Sequence, residues 1–295
     1  MSIIATPLRY PGGKSALTNY IRLILRKNGL SGGHYAEPYC GGAGAAIALL
    51  RAEAVSHIHI NDADPAVYAF WQAVLMRPED LCNFVLSVPL NVSEWQVQRD
   101  IYRSASNRSW FRKACAFFYL NRVNRSGILN GGLIGGLSQE GEWLMDARFN
   151  REDLALRIRR IALRRDDISV SNLDALEFLK VNSKTWPQKT LIYLDPPYYN
   201  KGQFLYRNSY GPDDHAAIAS YLRRLTKRHW LASYDNTPEI RKLYSGLKQS
   251  TYSIDYSARE RSIGSEIVIF GEATSSHRVL NPMKVTKDQL HSFTA

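Results

Sequence analysis

The sequence predicts an α/β fold built on an open, Rossmann-like parallel sheet, and three observations lead to this prediction. Apolar runs typical of buried strands occur at residues 55–60, 168–171, 191–194 and 230–234, with helical patterns between them. Three glycines follow an earlier short strand, and several of the strands end in an acidic residue. Because ligands bind at the carboxyl ends of the strands in such sheets, we expect the functional site at that edge.

The composition is that of a globular protein in a reducing compartment. Its 295 residues, 45% hydrophobic and 22% charged, are enough for one large α/β domain or two smaller ones. The sequence contains no apolar stretch of membrane-spanning length and no signal-peptide pattern. Cys40, Cys82 and Cys115 are far apart and form no CxxC pair, which argues against a disulfide framework or a zinc site. We therefore expect no membrane, no metal and a cytoplasmic location.

The net charge of +11 indicates a polyanionic partner. No acidic residue occurs between Asp100 and Glu140, although six basic residues lie there with aromatic residues between them. A block of one charge sign is typical of a surface that follows phosphates. Nucleic acid is therefore the favoured partner.

A first glycine-containing element, residues 9–15, precedes a helix predicted over residues 15–26. Its Gly-Lys-Ser end is similar to that of a phosphate-binding Walker loop, but such a loop needs a glycine where Leu8 stands. We therefore reject a nucleotide triphosphatase. The remaining interpretation is a glycine turn that lets the backbone approach a ligand, flanked by an aromatic ring and an ammonium group.

The second glycine element follows a short strand that ends in an acidic-Pro-aromatic turn at Glu37. It leads into a helix predicted over residues 45–54, a geometry that holds a nucleoside-bearing cofactor against a helix N-terminus. The spacing is not GxGxxG, which disfavours a nicotinamide cofactor. Asp62 ends the next strand and is placed to bond ribose hydroxyls. The alternative is that Asp62 caps the helix after Pro65, a role that Asp64 could fill equally well.

Residues 66–160 interrupt the α/β alternation, and we predict that they form an inserted, mostly helical domain. Helices are predicted over residues 66–76 and 109–120. Asn130-Gly131, between two apolar pairs, is a strong signal for a β-hairpin. Such a glycine-rich, acid-free hairpin could lie in a DNA groove or wedge into a base stack, and the alternative is a flexible surface loop.

The α/β alternation resumes at residues 168–171, a strand that leads to Asp174. This aspartate could meet the adenine end of a cofactor, or it could cap the next helix without a ligand. A later helix is predicted to be capped by one of the aspartates at 213–214, with His215 as an ordinary helix residue. Residues 251–256 and 266–270 predict a closing antiparallel hairpin. The polar tail from residue 273 is expected to be poorly ordered.

The buried strand at residues 191–194 runs directly into Asp195-Pro196-Pro197-Tyr198. Neither proline can donate to a sheet ladder, so the chain must leave the sheet there. The carboxylate, a backbone carbonyl and an aromatic face suit the binding of a planar ring that bears an amino group. The alternative is a proline turn after a core strand with an acidic residue at its tip.

Taken in order, these motifs resemble the DNA adenine-N6 methyltransferase family, the Dam-like enzymes of the D12 class, alpha subgroup. The resemblance rests on residues 10–14, residues 37–42, Asp62, residues 195–198 and the late strand at 264–270. It implies a Rossmann-like S-adenosylmethionine-dependent methyltransferase sheet with a target-recognition insert. The implied domains are a discontinuous catalytic domain (1–65 and 161–272), the insert (66–160) and a polar tail (273–295).

The resemblance also implies residue roles. Asp195, Pro196, Pro197 and Tyr198 would serve a flipped adenine. S-adenosyl-L-methionine would be bound by Asp195 and by Tyr10, Gly12, Gly13, Lys14, Glu37, Pro38, Tyr39, Gly41, Gly42, Gly44, Asp62, Asn172 and Asp174. Double-stranded DNA would be bound by Arg122, Asn124, Arg125, Ser126 and Asn130, by Lys201 and Tyr206 in the loop after the catalytic motif, and by Arg259 at a bend.

The expected reaction is methyl transfer to N6 of an adenine that has flipped out of duplex DNA. Cytosine-N4 methylation uses the same geometry, and a catalytically silent DNA-binding protein of the same fold is a rival from another class. The insert departs from the family pattern because Asn-Arg leads into Ser126-Gly127-Ile128, a form similar to phage-borne relatives, so no GATC specificity is inferred. A bacterial or phage origin and a cognate restriction endonuclease are further expectations.

Overall fold

The structure is a computed structural model that describes residues 6–10, 13–104, 109–199, 210–256 and 262–291. It contains a seven-stranded sheet in the order β3-β2-β1-β4-β5-β7-β6. The strands are β1 (His34–Glu37), β2 (His57–Asn61), β3 (Ile168–Ser171), β4 (Thr190–Leu194), β5 (His229–Asp235), β6 (Lys248–Tyr256) and β7 (Ser262–Phe270).

The sheet is mostly parallel, which confirms the predicted Rossmann-like α/β class. β1 pairs in parallel with both β2 and β4, and β4 pairs in parallel with β5. The strand order reverses between β1 and β4, the position at which open α/β sheets form a ligand crevice. β7 pairs antiparallel with β5 and β6, which confirms the predicted closing hairpin.

Eleven α-helices are present in the described ranges. They are α1 (Thr18–Lys27), α2 (Gly44–Arg51), α3 (Pro65–Met76), α4 (Pro78–Ser87), α5 (Val92–Arg103), α6 (Trp110–Val123), α7 (Arg151–Ala162), α8 (Ala175–Asn182), α9 (Pro212–Arg224), α10 (Pro238–Leu243) and α11 (Lys287–His291). None of the helices in those ranges is long and apolar enough to cross a membrane.

The core explains why β4 lies at the centre of the sheet. All five of its residues are buried, and Ile192 and Leu194 pack in one apolar cluster with residues of α8, α9 and β5. A parallel strand covered on both faces needs such a continuous apolar run. Each fully buried leucine or isoleucine contributes roughly 1.5–3 kcal/mol of transfer free energy, so this cluster fixes the strand that carries Asp195.

The chain divides into two compact units. The first unit comprises Met1–Gly13, Gly41–Gly44 and Asp64–Asn172, and the second unit comprises Lys14–Cys40, Ala45–Ala63 and Leu173–Ala295. In the first unit, helices α3 to α7 pack together, with the Phe70 and Phe118 rings stacked at 5.6 Å between centroids. The boundaries of the catalytic domain and of the recognition insert stay a prediction.

The hairpin predicted around Asn130-Gly131 is wrong. A short 3-10 helix, Arg125–Gly127, comes first, and its Ser126 and Gly127 both have positive φ angles (56° and 74°). A turn follows, in which the Gly131 amide donates to the Ile128 carbonyl at 2.9 Å. The amide of Asn124 donates to the carbonyl oxygens of Ile128 and Leu129, both at 3.0 Å. Because this side chain folds the loop back on itself, only a single bridge, Asn124–Leu133, forms among the described residues of this loop.

The expectation of a poorly ordered tail is also wrong for residues 273–291. The amide of Asn19 donates to the carbonyl oxygen of Val285 at 2.8 Å, and Tyr20 donates to that of His277 at 3.1 Å. Val285 and Leu290 are buried. Two apolar side chains in a polar segment therefore suffice to hold it against α1.

Helix starts account for the smaller differences. The helix predicted from residue 15 begins with a 3-10 turn, Lys14–Leu17, before α1. Helix α9 is capped by Gly211, and Asp214 sits three residues later, where its carboxylate accepts from the Gly211 amide at 2.9 Å. The prediction that Asp213 or Asp214 caps this helix is therefore wrong. Asp214 is the third residue of the helix, and its carboxylate accepts from the amide of the capping residue, as in a capping box.

Candidate active site

The loop after β4 places Asp195 at the carboxyl edge of the sheet. Strand β4 ends at Leu194, and the segment from Asp195 to Tyr198 has no regular secondary structure, as the two prolines predict. Ser233, in the neighbouring strand β5, donates its hydroxyl to Asp195 Oδ1 at 2.8 Å. Tyr193 in turn lies 2.8 Å from the Ser233 hydroxyl. Adjacent strands therefore fix the orientation of this carboxylate.

The two oxygens of Asp195 differ. Oδ1 accepts from the Ser233 hydroxyl and lies 3.4 Å from Lys14 Nζ, whereas no described residue donates a hydrogen bond to Oδ2. The side chain is 24% exposed. Burial raises the pKa of Asp195, against the lowering effect of the Lys14 charge, and Glu266 raises it further. One carboxylate oxygen thus stays available to accept from a ligand.

Lys14 and Glu266 form a buried ion pair beside Asp195. Lys14 Nζ lies 3.0 Å from Glu266 Oε1, and the two side chains are 4% and 0% exposed. Burial lowers the pKa of Lys14, but the charges of Asp195 and Glu266 outweigh it and leave the pKa above its usual value. The lysine therefore stays charged.

The hydroxyl of Tyr198 is held by this ion pair. It donates to Glu266 Oε1 at 2.5 Å and lies 3.4 Å from Lys14 Nζ. The other carboxylate oxygen of Glu266 accepts from the hydroxyl of Tyr252 in β6. A residue from each end of the chain thus fixes the position of the aromatic ring in the Asp195 loop.

Glu266 is a site residue that the sequence did not reveal. The sequence pattern placed this glutamate only at the start of an apolar late strand. The available signal was a single carboxylate in front of four apolar residues, a position that is buried in the sheet and needs a cationic partner.

Glu37 ends β1 with a buried carboxylate. It accepts from the Tyr35 hydroxyl at 2.8 Å and is 5% exposed. Burial raises its pKa to about 8, although the hydrogen bond from Tyr35 acts in the opposite direction. At neutral pH this side chain is largely protonated, so it can donate a hydrogen bond to a ligand as well as accept one.

Asn61 ties three strand ends together. Its amide donates to the carbonyl oxygens of Pro38 (3.0 Å) and Leu173 (2.9 Å), and its oxygen accepts from the Leu173 amide at 3.0 Å. These bonds bring the turn after Glu37, the last residue of β2 and the segment before α8 to one edge. The predicted residues Asp62 and Asp174 adjoin the anchored positions.

The capping alternatives have different outcomes for the two aspartates. Asp64, not Asp62, caps α3 by accepting from the Ala66 amide at 2.8 Å, so capping does not account for Asp62. Asp174 does cap α8, accepting from Leu176 at 2.8 Å, and its second oxygen accepts from the Tyr210 hydroxyl at 3.0 Å. The structure thus accounts for Asp174 without a ligand.

The glycine loop of the first unit packs against Tyr10. Gly41 has a φ of 44°, and a Cβ added there would come within 2.7 Å of the Tyr10 ring. The carbonyl of Gly41 accepts from the Trp71 indole at 3.0 Å, and the Gly13 amide donates to the Tyr10 carbonyl at 3.1 Å. The glycine is therefore required by contact with an aromatic ring. Gly12 lies outside the described residues.

The predicted DNA-binding residues differ in exposure. Arg125, Ser126 and Asn130 are exposed, whereas Asn124 is 1% exposed and accepts from the Trp95 indole at 2.9 Å. Because its oxygen and its amide are both engaged inside the loop, we leave Asn124 out of the proposed DNA contacts. Lys201, Tyr206 and Arg259 lie outside the described ranges.

The fold and this edge define an open-sheet α/β protein with a ligand site at the end of its central strand. The chain belongs to the D12 class N6 adenine-specific DNA methyltransferase family, whose model matches residues 10–261. This membership implies S-adenosyl-L-methionine as the cofactor. The strand ends fit that group, because Glu37 and Asp62 place carboxyl groups at the carboxyl edge of the sheet, where they can accept hydrogen bonds from nucleoside hydroxyls.

The other comparisons add little. A crystal structure of the SAM dependent methyltransferase from Agrobacterium tumefaciens is similar to this chain with a TM-score of 0.36 and 8% sequence identity. The match covers 85% of this chain and 60% of the other, so this chain spans about three fifths of the solved one. Similarity at that level defines neither fold nor function. No match was found among the curated proteins compared.

Proposed function

We propose that this protein transfers the methyl group of S-adenosyl-L-methionine to N6 of an adenine flipped out of double-stranded DNA. Family membership over residues 10–261 supports the substrate class. The observation that carries the proposal is the asymmetry of Asp195. Its Oδ1 is held by Ser233 and Lys14, while its Oδ2 accepts from no described donor.

The exocyclic amine of adenine explains why such a carboxylate is needed. The N6 lone pair is delocalised into the ring, so N6 is a poor nucleophile. An ionised Asp195 Oδ2 and the carbonyl oxygen of Pro196 would each accept one N6 hydrogen. Two acceptors fixed in advance favour a pyramidal nitrogen whose lone pair points away from the ring, and such positioning supplies much of the rate enhancement.

The cofactor supplies an electrophilic methyl group on a sulfonium when it is bound. The residues proposed to hold it are those that the family resemblance implies. Within the second unit they are Lys14, Glu37, Pro38, Tyr39, Asp62, Asp174 and Asp195, and within the first unit Tyr10, Gly12, Gly13, Gly41, Gly42, Gly44 and Asn172. Asp62 would bond ribose hydroxyls, a role that fits its position after β2.

Tyr198 has a second role in the proposal. An adenine inside a duplex is out of reach, so it must leave the stack and lose its stacking energy. The Tyr198 ring would replace that stacking, and aromatic stacking on a base contributes roughly 1–3 kcal/mol. The hydrogen bond from its hydroxyl to Glu266 would hold the ring in place before the base arrives.

The finer parts of the proposal concern the partner and the domains. We assign DNA recognition to the insert (66–160), with Arg122, Arg125, Ser126 and Asn130, and to Lys201, Tyr206 and Arg259. Catalysis is assigned to residues 1–65 and 161–272. A cognate restriction endonuclease that acts on the same site, and the cytoplasm of a bacterium or phage-infected cell, complete the proposal.

The test is methylation sequencing of DNA from cells that express the wild type or Asp195→Ala, with purified enzymes assayed beside them. We expect N6-methyladenine in one short motif, and a loss of roughly 10²–10⁴-fold in transfer by the variant. Asp213→Ala, at an exposed position of α9, is the matched control and should keep activity. DNA binding by Asp195→Ala should persist.

Two results would overturn the proposal. Transfer retained by Asp195→Ala would remove this carboxylate from the chemistry. Mass spectrometry of digested DNA that shows N4-methylcytosine in place of N6-methyladenine would assign the same loop to the other exocyclic amine.

A further inference from the structure

The first unit contains a cavity of about 420 Å³ whose lining is dominated by arginines. None of the described residues that line it is acidic. They are Leu8, Arg9, Arg122, Ala147, Arg148, Asn150 and Arg157. The four arginines come from distant parts of the sequence, and only Arg122 belongs to the basic block between Asp100 and Glu140.

Backbone carbonyls hold three of the four guanidinium groups in place. Arg9 Nη1 donates to the carbonyl oxygen of Asn124 at 3.1 Å, Arg157 Nη1 donates to that of Thr6 at 3.1 Å, and Arg122 donates to that of Arg148. These bonds engage only some of the N–H groups of the three guanidinium groups. The Nε atoms of Arg122 and Arg157 are buried and have no hydrogen-bond partner among the described residues.

The positive charge of the cavity is poorly balanced. Asp153 Oδ2 lies 2.5 Å from Arg157 Nη2. Asp153 is the only carboxylate in the described ranges that forms an ion pair with any of the four arginines. Burial, and then the charges of Arg9 and Arg157, lower the pKa of Arg122 to about 9. The group still carries its proton at neutral pH, so the like charges repel one another. Such an arrangement is expected when an anion completes it.

The donors of this cavity suit a phosphate group. Guanidinium groups are planar forks that bond two oxygens at once, and phosphate presents several strong acceptor oxygens. Donors already fixed by the backbone lose little entropy when the anion binds. The cavity is also larger than a single phosphate, so a sugar or a second phosphate could accompany it.

We propose that this arginine-lined cavity binds a phosphate group, and that its source is a backbone phosphate of the DNA partner. The choice of source rests on the proposed function. A free phosphate or pyrophosphate offers the same chemistry, and the experiment separates the two sources.

The experiment measures the affinity of the full-length protein for a DNA duplex as a function of KCl concentration. Arg148→Gln removes an exposed cation from the cavity, and Arg160→Gln removes an exposed cation from α7, outside the lining. Losing one phosphate contact should reduce the slope of log K against log salt by roughly 0.9 and the affinity at 0.15 M salt by about five-fold. We expect this loss for Arg148→Gln and an unchanged slope for Arg160→Gln.

A second arm titrates inorganic phosphate and pyrophosphate into the wild type and both variants while thermal unfolding is followed, with KCl at matched ionic strength. A stabilisation that Arg148→Gln alone abolishes, together with unchanged DNA binding, would confirm a phosphate site whose source is a free anion. Equal DNA slopes for the two variants and no phosphate stabilisation would overturn the proposal. Methyl transfer by the wild type is measured in parallel, so that failure of the proposed function is seen separately.

Discussion

Two clusters of charged side chains distinguish the two units of this protein. In the second unit, the carboxyl groups of Asp195 and Glu266 share one cation, Lys14. In the first unit, four arginines line one cavity, and a single carboxylate, Asp153, pairs with them in the described ranges. The excess is therefore negative in one cluster and positive in the other.

The difference teaches which ligand each cluster can complete. Unpaired buried charge is costly, so a folded protein retains it only where something opposes it. An excess of carboxylate oxygens suits hydrogens on an amine, and an excess of guanidinium donors suits phosphate oxygens. We therefore expect the two sites to bind groups of opposite character, amine hydrogens in the second unit and phosphate oxygens in the first unit.

The largest expected effect is that of Lys14→Met on folding. Removing the cation leaves Glu266, which is fully buried, and Asp195 without their shared partner. Breaking a buried pair in this way typically costs about 3–5 kcal/mol of the free energy of unfolding. Urea unfolding monitored by far-UV circular dichroism measures it.

Lys27→Met is the matched control, because Lys27 is an exposed lysine at the end of α1. It should change the free energy of unfolding by less than about 0.5 kcal/mol. A loss of similar size in the two variants would mean that the buried carboxyl groups of Asp195 and Glu266 do not need Lys14 for stability.

Glu266→Gln tests the acidic cluster through the pH dependence of methyl transfer. Catalysis in our proposal needs an ionised Asp195, so activity falls as pH drops through the pKa of that group. Burial raises this pKa, and the Glu266 charge adds to the shift. Removing the Glu266 charge should therefore move the acid limb of kcat/KM to lower pH, whereas Lys14→Met should move it to higher pH.

Glu266→Gln also weakens the anchoring of the Tyr198 hydroxyl, but that loss alone would lower the rate without moving the acid limb of the pH profile. The pH profile therefore separates the loss of the Glu266 charge from the loss of Tyr198 anchoring. An acid limb that stays in place in Glu266→Gln would show that the two carboxyl groups do not interact.

The sequence allowed the prediction of those features that depend on local patterns. Four of the five residues of β4, at positions 191–194, form a continuous apolar run, and two prolines follow it, so the position of Asp195 at a strand end followed directly. The closing hairpin of β6 and β7 was predictable for the same reason. Alternation and turn chemistry are local properties of the chain.

The features that failed or were missed depend on contacts between distant segments. Glu266 and Lys14 are 252 residues apart, and only the folded sheet makes the glutamate a site residue. The four arginines of the cavity are likewise brought together by the fold of the first unit. The Asn130-Gly131 hairpin failed because the side chain of Asn124 occupies backbone carbonyls that a ladder would use, a competition that periodicity does not reveal.

The smallest expected effect concerns Asp153, the carboxylate that pairs with the arginine cavity. It is 44% exposed and lies four residues before Arg157 on α7, so the pair is worth only about 0.5 kcal/mol. Asp153→Asn should lower the free energy of unfolding by that amount in a phosphate-free buffer. It also frees Arg157 for an external anion.

Phosphate should therefore stabilise Asp153→Asn more than it stabilises the wild type, and a few millimolar phosphate should cancel the cost of the substitution. The measurement is urea unfolding of both proteins with and without phosphate, at ionic strength matched with KCl. Asp146→Asn, an exposed position outside the cavity lining, is the control and should respond to phosphate as the wild type does. If phosphate stabilised all three proteins equally, Asp153 would not compete with an anion for Arg157. The backbone carbonyls alone would then compensate the charge of the arginines, and the predicted difference in ligand between the two units would be contradicted.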